Sequence, residues 1–287
     1  MPCPSGAGQG SGRVPSLSKC GQASGRVPST SSGGIISPYT IMNEESAGKT
    51  FKILLLNLAY CTEQNGSLLR YLIKLNRFFY LPKKVENRVL YNLKNIIATE
   101  KPDLIYLLEI NKGKQIKALI NEEYFFHDIK TKYGEKSILR KLPFFRRKSS
   151  AFVSKHKLTF KYHFLKNGTK KLVHEISLPG NISLLTAHFS LNKKVRAKQF
   201  KEIHELIPGT DKKIICGDFN IFGGVKELAY LLQKSGLGIA QQQATFPAFK
   251  PKKPLDLFLI TKNIKAKTEV LKNQLSDHLP VTLKISL

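Results

Sequence analysis

Cysteine is scarce in this chain, with four residues in 287. Cys3 and Cys20 lie near the N-terminus, Cys61 and Cys216 lie far apart, and no CxxC or cysteine–histidine spacing occurs among them. This pattern excludes a disulfide scaffold and argues against a structural zinc site. No apolar run approaches the ~18 residues of a membrane-spanning helix, and the first residues lack the apolar core of a signal peptide. We therefore expect a cytoplasmic protein without a transmembrane segment.

Acidic residues are also scarce, because 20 Asp and Glu stand against 47 Lys and Arg. The formal net charge of +27 favours salt-sensitive association with a polyanion, such as nucleic acid, an anionic lipid surface or a phosphorylated metabolite. A lysine-rich drift in genome composition would produce the same excess. Net charge alone does not separate these two explanations, since it reports on association and not on fold.

Residues 1–50 contain little apolar sequence and differ in composition from the rest of the chain. They are rich in Gly, Ser and Pro, and they carry the hexapeptide SGRVPS at residues 11–16 and again at residues 24–29. Such a segment cannot bury enough apolar surface to offset its ordering entropy. We therefore predict a disordered tail over residues 1–50 and a folded domain over residues 51–287.

Strands and helices alternate through the folded domain. Short apolar runs predict buried strands, and apolar residues on one helical face predict amphipathic helices at residues 85–99, 195–207 and 225–233. Strands outnumber helices and recur to the end of the chain, which indicates two packed sheets with helices outside. The predicted strands cover residues 51–58, 104–108, 151–154, 172–177, 182–187, 213–216, 255–261 and 281–287.

Polar and acidic residues stand where these apolar strands end. Each one alone has a structural explanation, since a strand-end Asp usually caps a turn and a lone His usually lies on the surface. Together they can converge on one rim of a sandwich. There, carboxylate and amide oxygens suit Mg²⁺ or Mn²⁺, and His residues with Asp partners supply acid–base or charge-stabilising groups. The set comprises Asn57, Glu109, His188, Asp218, Asn220, Asp256, Asp277 and His278.

The order of these residues resembles that of the endonuclease/exonuclease/phosphatase superfamily, and the resemblance covers residues 51–287. GDFN and SDHLP, in this order and each beside an apolar strand, form a specific signal. The resemblance implies an α/β (α+β) fold, a four-layer α/β/β/α sandwich with two mixed β-sheets. It also implies that the domain is a metal-dependent hydrolase that breaks a P–O bond by in-line attack of water. The motifs are TAHFSL with His188, GDFN with Asp218 and Asn220, LDLFLI with Asp256, and SDHLP with Asp277 and His278.

The same resemblance implies a role for each residue. Glu109 is expected to be the principal ligand of Mg²⁺ (or Mn²⁺), with Asn57 and Asp277 nearby. Asp218 is expected to orient or deprotonate the attacking water, and Asn220 to help hold the water and the phosphate. His278, held by Asp256, is expected to stabilise charge on the phosphate, which His188 contacts from another side.

Two positions depart from the family pattern. Leu108 stands where many members have a Gln before the metal-binding Glu, so one hydrogen bond near that ligand is missing or replaced. His188, followed by Arg196 and Gln199 on the next predicted helix, resembles the deoxyribonuclease, sphingomyelinase and phosphatase branches. Apurinic endonucleases have a pattern with Tyr and Asn where this chain has His188, and this difference argues against a dedicated abasic-site repair enzyme.

Two basic segments with interleaved aromatic residues are candidates for substrate binding. Residues 70–81 read RYLIKLNRFFYL, in which Leu72, Ile73 and Leu75 are expected to pack against the rest of the domain. Residues 130–148 hold eight Lys or Arg against one Glu. This pattern suits nucleic acid, where cations meet phosphates and rings stack on bases, and it also suits an anionic membrane surface. From the second segment we single out Tyr133, Arg146, Arg147 and Lys148 as substrate-binding residues.

The leading hypothesis is therefore a monomeric, metal-dependent phosphodiesterase or nuclease that cleaves nucleic acid. The alternative is a phospholipid or phosphoinositide hydrolase, sphingomyelinase- or phosphatase-like, acting at an anionic membrane surface. A third hypothesis is a binding protein that has the fold but lacks catalysis. The presence of the whole set of metal and phosphate residues argues against the third hypothesis, whereas the sequence does not separate the first two.

Overall fold

The computed structural model of the protein describes residues 49–207 and 209–287. The prediction of a disordered tail over residues 1–50 lies almost wholly outside these ranges. Thr50, which that prediction included, already belongs to the first strand.

Twelve strands and five α-helices make up the described part of the chain. The strands are β1 (Thr50–Asn57), β2 (Leu104–Asn111), β3 (Phe126–Thr131), β4 (Lys148–Ser154), β5 (Phe160–Phe164), β6 (Leu172–Leu178), β7 (Ile182–His188), β8 (Lys212–Asp218), β9 (Leu237–Ile239), β10 (Asp256–Thr261), β11 (Ala266–Val270) and β12 (Val281–Ser286). The helices are α1 (Leu68–Ile73), α2 (Lys83–Glu100), α3 (Lys114–Lys117), α4 (Lys193–Leu206) and α5 (Ala229–Ser235).

The strands form two six-stranded sheets. The first has the order β11-β12-β1-β2-β4-β3, and the second has the order β5-β6-β7-β8-β10-β9. In the first sheet β1 is parallel to β2, and in the second β7 is parallel to β8. The other neighbours are antiparallel, so both sheets are mixed.

Three apolar clusters separate four layers. One cluster, which includes Phe152 and Phe258, lies between the sheets. A second joins the outer face of the first sheet to α2 through residues such as Leu93. The third joins the outer face of the second sheet to α4 and α5 through Phe200 and Leu231. The layers therefore run helix, sheet, sheet, helix, which confirms the predicted four-layer sandwich with two mixed sheets.

The helix α2 shows how the sequence sets an element's length. Its buried residues recur every three or four positions, so they form one apolar stripe that faces the sheet. The helix ends at Glu100, and the next residue, Lys101, adopts a left-handed conformation with φ 46° and ψ 49°. Pro102 follows and cannot continue the helical hydrogen bonding. Of the helices within the described ranges, none is long and apolar enough to cross a membrane.

The short helix α1 departs from the prediction that its apolar residues pack against the rest of the domain. Leu72 and Ile73 are 66% and 68% exposed, and Leu69 is 66% exposed. These three side chains therefore form an exposed apolar group at the start of the first basic segment. The side chain of Leu75 lies outside the described part of the structure.

Candidate active site

The strand-end residues of both sheets meet at one rim of the sandwich. Asn57 ends β1, and its Nδ2 lies 3.2 Å from Oδ2 of Asp218 at the end of β8 in the other sheet. Within the second sheet, Asp218 is paired in register with His188 on one side and with Asp256 on the other. Neighbouring strands thus deliver separate motifs of the sequence to one place.

The GDFN motif begins with a glycine because β7 and β8 approach closely. A Cβ on Gly217 would lie 1.7 Å from the carbonyl oxygen of Ala187, and its φ of 146° also favours glycine. Asn220 has a φ of 52°, a left-handed conformation that Asn tolerates well. Its Nδ2 donates to the Phe189 carbonyl at 2.9 Å. This turn therefore carries Asp218 and Asn220 on a backbone fixed against β7.

Asp218 is the centre of the site and is 1% exposed. Oδ1 accepts a hydrogen bond from the Asn220 backbone at 3.0 Å, and Oδ2 lies 3.0 Å from His188 Nε2 and 3.9 Å from His278 Nε2. Burial opposes ionisation of this carboxyl, but the two imidazoles outweigh burial and lower the pKa of Asp218 well below its usual range. The carboxylate is therefore charged at neutral pH.

His278 is held by a chain of hydrogen bonds. Its Nδ1 lies 2.7 Å from Oδ2 of Asp256, which accepts a further hydrogen bond from the Thr245 hydroxyl at 2.6 Å. Burial lowers the pKa of His278, but the negative charges of Asp256 and Asp218 outweigh it and raise the pKa to about 10. Asp277, the buried neighbour of His278 in the loop before β12, raises the pKa in the same direction. His278 is thus a cation with its Nε2 directed at Asp218.

His188, unlike His278, is a neutral imidazole at pH 7. Burial, together with the positive charge of Lys170, lowers the pKa of His188 to about 4. The ammonium of Lys170 contacts Nε2 of His188. Gln199, predicted to follow His188 on the next helix, positions the segment that carries Lys170 by donating to the Lys170 carbonyl at 2.8 Å. Asp218 therefore lies between two imidazoles, the neutral ring of His188 and the cationic ring of His278.

Glu109 lies on a bulge in β2 rather than at the end of that strand. The pairing of β2 with β4 shifts register between Leu107 and Ile110, Glu109 has a φ of 51°, and the strand continues to Asn111. The prediction of a strand that ends at Leu108 was therefore wrong. Bulges re-aim side chains, and left-handed backbone at a non-glycine residue is common at functional sites. Leu108 itself is buried in the core between the sheets.

Two ammonium groups and the imidazole of His188 surround the Glu109 carboxylate. The distances from its Oε1 are 3.7 Å to Lys132 Nζ, 3.8 Å to Lys170 Nζ and 3.9 Å to His188 Nδ1. Burial favours the neutral acid, but Lys132 and Lys170 outweigh burial and lower the pKa of Glu109 to about 2. Lys132 also donates to the hydroxyl of Tyr60. The sequence reasoning missed Tyr60, Lys132 and Lys170 as members of the site.

The predicted substrate-binding residues lie at two depths. Arg146 and Arg147 are exposed. Lys148 is buried on β4, with its Nζ 3.5 Å from the centroid of the Tyr60 ring. Tyr133 is also buried, with its ring centroid 6.0 Å from that of Phe145. Only the two arginines therefore belong to the open surface that the sequence pattern predicted.

The structure is similar to several solved structures. An endonuclease/exonuclease/phosphatase family protein from Leptotrichia buccalis C-1013-b matches with a TM-score of 0.60 and 17% identity, over 83% of this chain and 100% of that chain. A truncated TDP2 of Caenorhabditis elegans matches with a TM-score of 0.56 and 15% identity, over 84% of this chain and 98% of that chain. Sphingomyelinase C from Streptomyces griseocarneus matches with a TM-score of 0.58 and 15% identity, over 82% of this chain and 99% of that chain.

No family model and no curated protein matches the sequence. The structural matches nevertheless extend over nearly the whole described part of the chain. The protein has the fold of the endonuclease/exonuclease/phosphatase superfamily, which confirms the resemblance seen in the sequence motifs.

Proposed function

We propose that the chain is a metal-dependent phosphodiesterase that cleaves nucleic acid by in-line attack of water. The observation that carries this proposal is the arrangement around Asp218. Its buried carboxylate lies 3.0 Å from Nε2 of His188 and 3.9 Å from Nε2 of His278, and these neighbours lower its pKa so that it is anionic. The fold is shared with proteins named as an endonuclease/exonuclease/phosphatase, a TDP2 and a sphingomyelinase.

Asp218 and His278 have different roles in the proposed hydrolysis. Asp218 can orient a water molecule and accept its proton, because it is ionised and 1% exposed. His278 presents a donor at Nε2, and its hydrogen bond to Asp256 fixes the orientation of the ring. A preorganised donor of this kind stabilises charge that develops on phosphate oxygens. Asn220, through its fixed backbone, helps to hold the same water and phosphate.

Asn57, Glu109 and Asp277 are the residues that would hold the divalent cation. Glu109 is kept anionic. Among the described residues, Asn57 Oδ1 accepts one hydrogen bond, from the Ala59 backbone at 3.1 Å, which leaves a second lone pair. This set of hard oxygen donors fits Mg²⁺ or Mn²⁺. A bound cation polarises the phosphate and neutralises charge in the transition state.

A second group of residues also has ligand-like spacing. Donor atoms of Asp218, Asp256 and His278 all lie within 4.8 Å of one another. His278 Nδ1 and Asp256 Oδ2 are already engaged with each other at 2.7 Å, however. We therefore assign this group to proton transfer and phosphate binding, and the cation to the Glu109 side.

Phospholipid phosphodiesters are the second candidate substrate, because a specific surface favours them. Leu69, Leu72 and Ile73 are exposed on α1, which overlaps the basic segment of residues 70–81. Exposed apolar side chains beside Lys and Arg are typical of proteins that bind an anionic membrane surface.

Salt dependence distinguishes the two substrate classes. Oligonucleotide affinity should fall linearly on a log–log plot against salt concentration. Reversing charge in Arg146→Glu/Arg147→Glu should reduce the magnitude of the slope by about 0.7 for each single-strand phosphate that the variant no longer neutralises. The matched control is Lys262→Glu/Lys265→Glu, which reverses two exposed charges beyond the far end of β10. An unchanged slope in the arginine variant, combined with loss of binding to phosphatidylserine vesicles, would establish the lipid substrate instead.

A further inference from the structure

A cleft of about 310 Å³ lies beside the reaction centre and takes no part in the chemistry proposed above. Its lining includes Tyr60, Phe79, Phe144, Arg147 and Lys148. Tyr60 connects the cleft with the site, because Lys132, which donates to the Tyr60 hydroxyl, has its Nζ 3.7 Å from Glu109 Oε1. A group bound in the cleft would therefore be a near neighbour of a phosphate at the metal site.

Lys148 brings a buried positive charge to this cleft. The residue is 5% exposed, and its ammonium lies 3.5 Å from the Tyr60 ring centroid and 4.7 Å from that of Phe144. Within residues 49–207 and 209–287, its ammonium has neither a hydrogen-bond acceptor nor an ion-pair partner. Burying an ammonium without an anion is costly, and contacts with aromatic faces offset only part of that cost. Lys148 thus has no carboxylate within ion-pair distance in the described ranges, and the charge of Glu109 acts on it only from farther away.

The other charged residues of the lining leave a positive surplus. The negative charge of Glu86 is already paired, because its Oε2 lies 3.9 Å from Lys114 Nζ, and its Oε1 accepts from Gln115 Nε2 at 2.9 Å. Arg77 is likewise engaged, with its Nη1 2.9 Å from Oε2 of Glu63. The charges available to a ligand are those of Lys148 and the exposed Arg147, so the cleft favours an anion.

The aromatic wall adds a second requirement for the ligand. The rings of Phe79 and Phe144 are stacked, with centroids 5.3 Å apart and planes at 30°. Phe79 is 77% exposed, so ring surface remains open to a planar group. Nucleotides combine a phosphate with a flat base, and unpaired bases stack on aromatic side chains irrespective of sequence. A lipid headgroup offers the phosphate but no flat ring.

We infer that this cleft binds the nucleotide that flanks the scissile phosphate of a single-stranded nucleic acid. Its phosphate meets Lys148 and Arg147, and its base lies against Phe79 and Phe144. The strand must be single, because a base within a duplex has its faces covered by its neighbours. This inference rests on the proposed function and specifies the substrate of the same site.

A binding cycle between substrate and protein tests the subsite. A tetranucleotide is compared with the same molecule in which the flanking phosphate is an uncharged methylphosphonate, with dissociation constants measured by fluorescence anisotropy in chelator. Wild-type protein should bind the methylphosphonate about tenfold more weakly, as expected for loss of a hydrogen bond to a charged group. Lys148→Met should show a smaller difference between the two molecules than wild type does, because Arg147 is then the remaining cation at that phosphate.

Three further variants show whether the effect is local. Lys130→Met is the matched control, since Lys130 also lies over a tyrosine ring, with Nζ 3.6 Å from the Tyr162 centroid. It should keep the tenfold difference. Lys148→Arg should restore the difference. A tetranucleotide without the flanking base should bind wild type more weakly than the intact one does. This difference should be smaller in Phe79→Leu, which keeps the ring of Phe144 but loses that of Phe79.

The outcomes separate this inference from the proposed function. The nucleotide subsite is wrong if wild type binds the intact tetranucleotide and its methylphosphonate analogue equally. It is also wrong if the methylphosphonate weakens binding to Lys148→Met as much as to wild type. Vesicle binding that falls in Lys148→Met, without oligonucleotide binding by wild type, also overturns it. Hydrolysis of a bis-aryl phosphodiester by wild type shows whether the proposed function fails as well. If wild type hydrolyses this substrate, only the subsite is wrong; if it does so with no metal tested, the proposed function is wrong too.

Discussion

Asp218→Asn is expected to reduce kcat for phosphodiester hydrolysis by about 10²–10⁴-fold, the range that a positioned general base contributes. The substitution keeps the size of the side chain and most of its hydrogen bonds, but it removes the charge that lies 3.0 Å from His188 and 3.9 Å from His278. KM should change little, because the interaction that is removed forms mainly in the transition state. Asp211→Asn, at an exposed aspartate in the loop before β8, is the control and should retain full activity.

His278→Ala should show the same pattern with a loss of about 10²–10³-fold, the usual cost of one preorganised donor. The double variant should lose less than the product of the single losses, because both residues act on one reaction centre. Asp256→Asn should resemble a milder His278→Ala, since it loosens the ring held at 2.7 Å. Near-native kcat in both Asp218→Asn and His278→Ala would exclude the catalytic assignment, provided the melting temperatures show folded proteins.

Removal of divalent cations is the second change with a large expected effect. Chelation should abolish hydrolysis, and Mg²⁺ or Mn²⁺ should restore it. Glu109→Gln should weaken Mn²⁺ binding by at least about tenfold, which is the lower end of what even a change beside a metal ligand costs. The variant loses an anionic ligand and also leaves the ammonium groups of Lys132 and Lys170 without the carboxylate, which lies 3.7 Å from the first and 3.8 Å from the second.

Isothermal titration with Mn²⁺ measures this loss without relying on activity. Glu205→Gln, at an exposed glutamate on α4, is the matched control and should bind the ion as wild type does. Hydrolysis that continues at full rate in chelator would contradict the metal mechanism. Equal Mn²⁺ affinity in Glu109→Gln and wild type would contradict the assignment of Glu109 alone.

The predicted strands are interior strands of the sheets, whereas the strands that were not predicted are edge strands. All eight interior strands carry apolar runs and were predicted, because both of their faces are covered. The missed strands, β3, β5, β9 and β11, are the four sheet edges. Sequences such as AKTEV in β11 are largely exposed and have no apolar run to reveal them.

The site was predictable to the extent that its residues end interior strands. Asp218 and His188 follow the apolar runs of such strands directly, so the register of β7 and β8 places them side by side. Lys132 follows the edge strand β3, and Lys170 lies in the loop between β5 and β6. Lys132 belongs to the basic segment of residues 130–148, but no pattern indicates that either lysine lies beside Glu109. Tyr60 lies in a turn with a φ of 58°, where no periodicity applies.

The most direct measurement of the central claim is the rate of nitrophenolate release from bis(4-nitrophenyl) phosphate by wild type and by Asp218→Asn. The rates are compared in Mn²⁺ and in chelator. We predict release by wild type in Mn²⁺, none above background in chelator, and a loss of at least about 10²-fold in Asp218→Asn. Equal rates for the two proteins, or equal rates with and without Mn²⁺, would contradict metal-dependent hydrolysis at the Asp218 site.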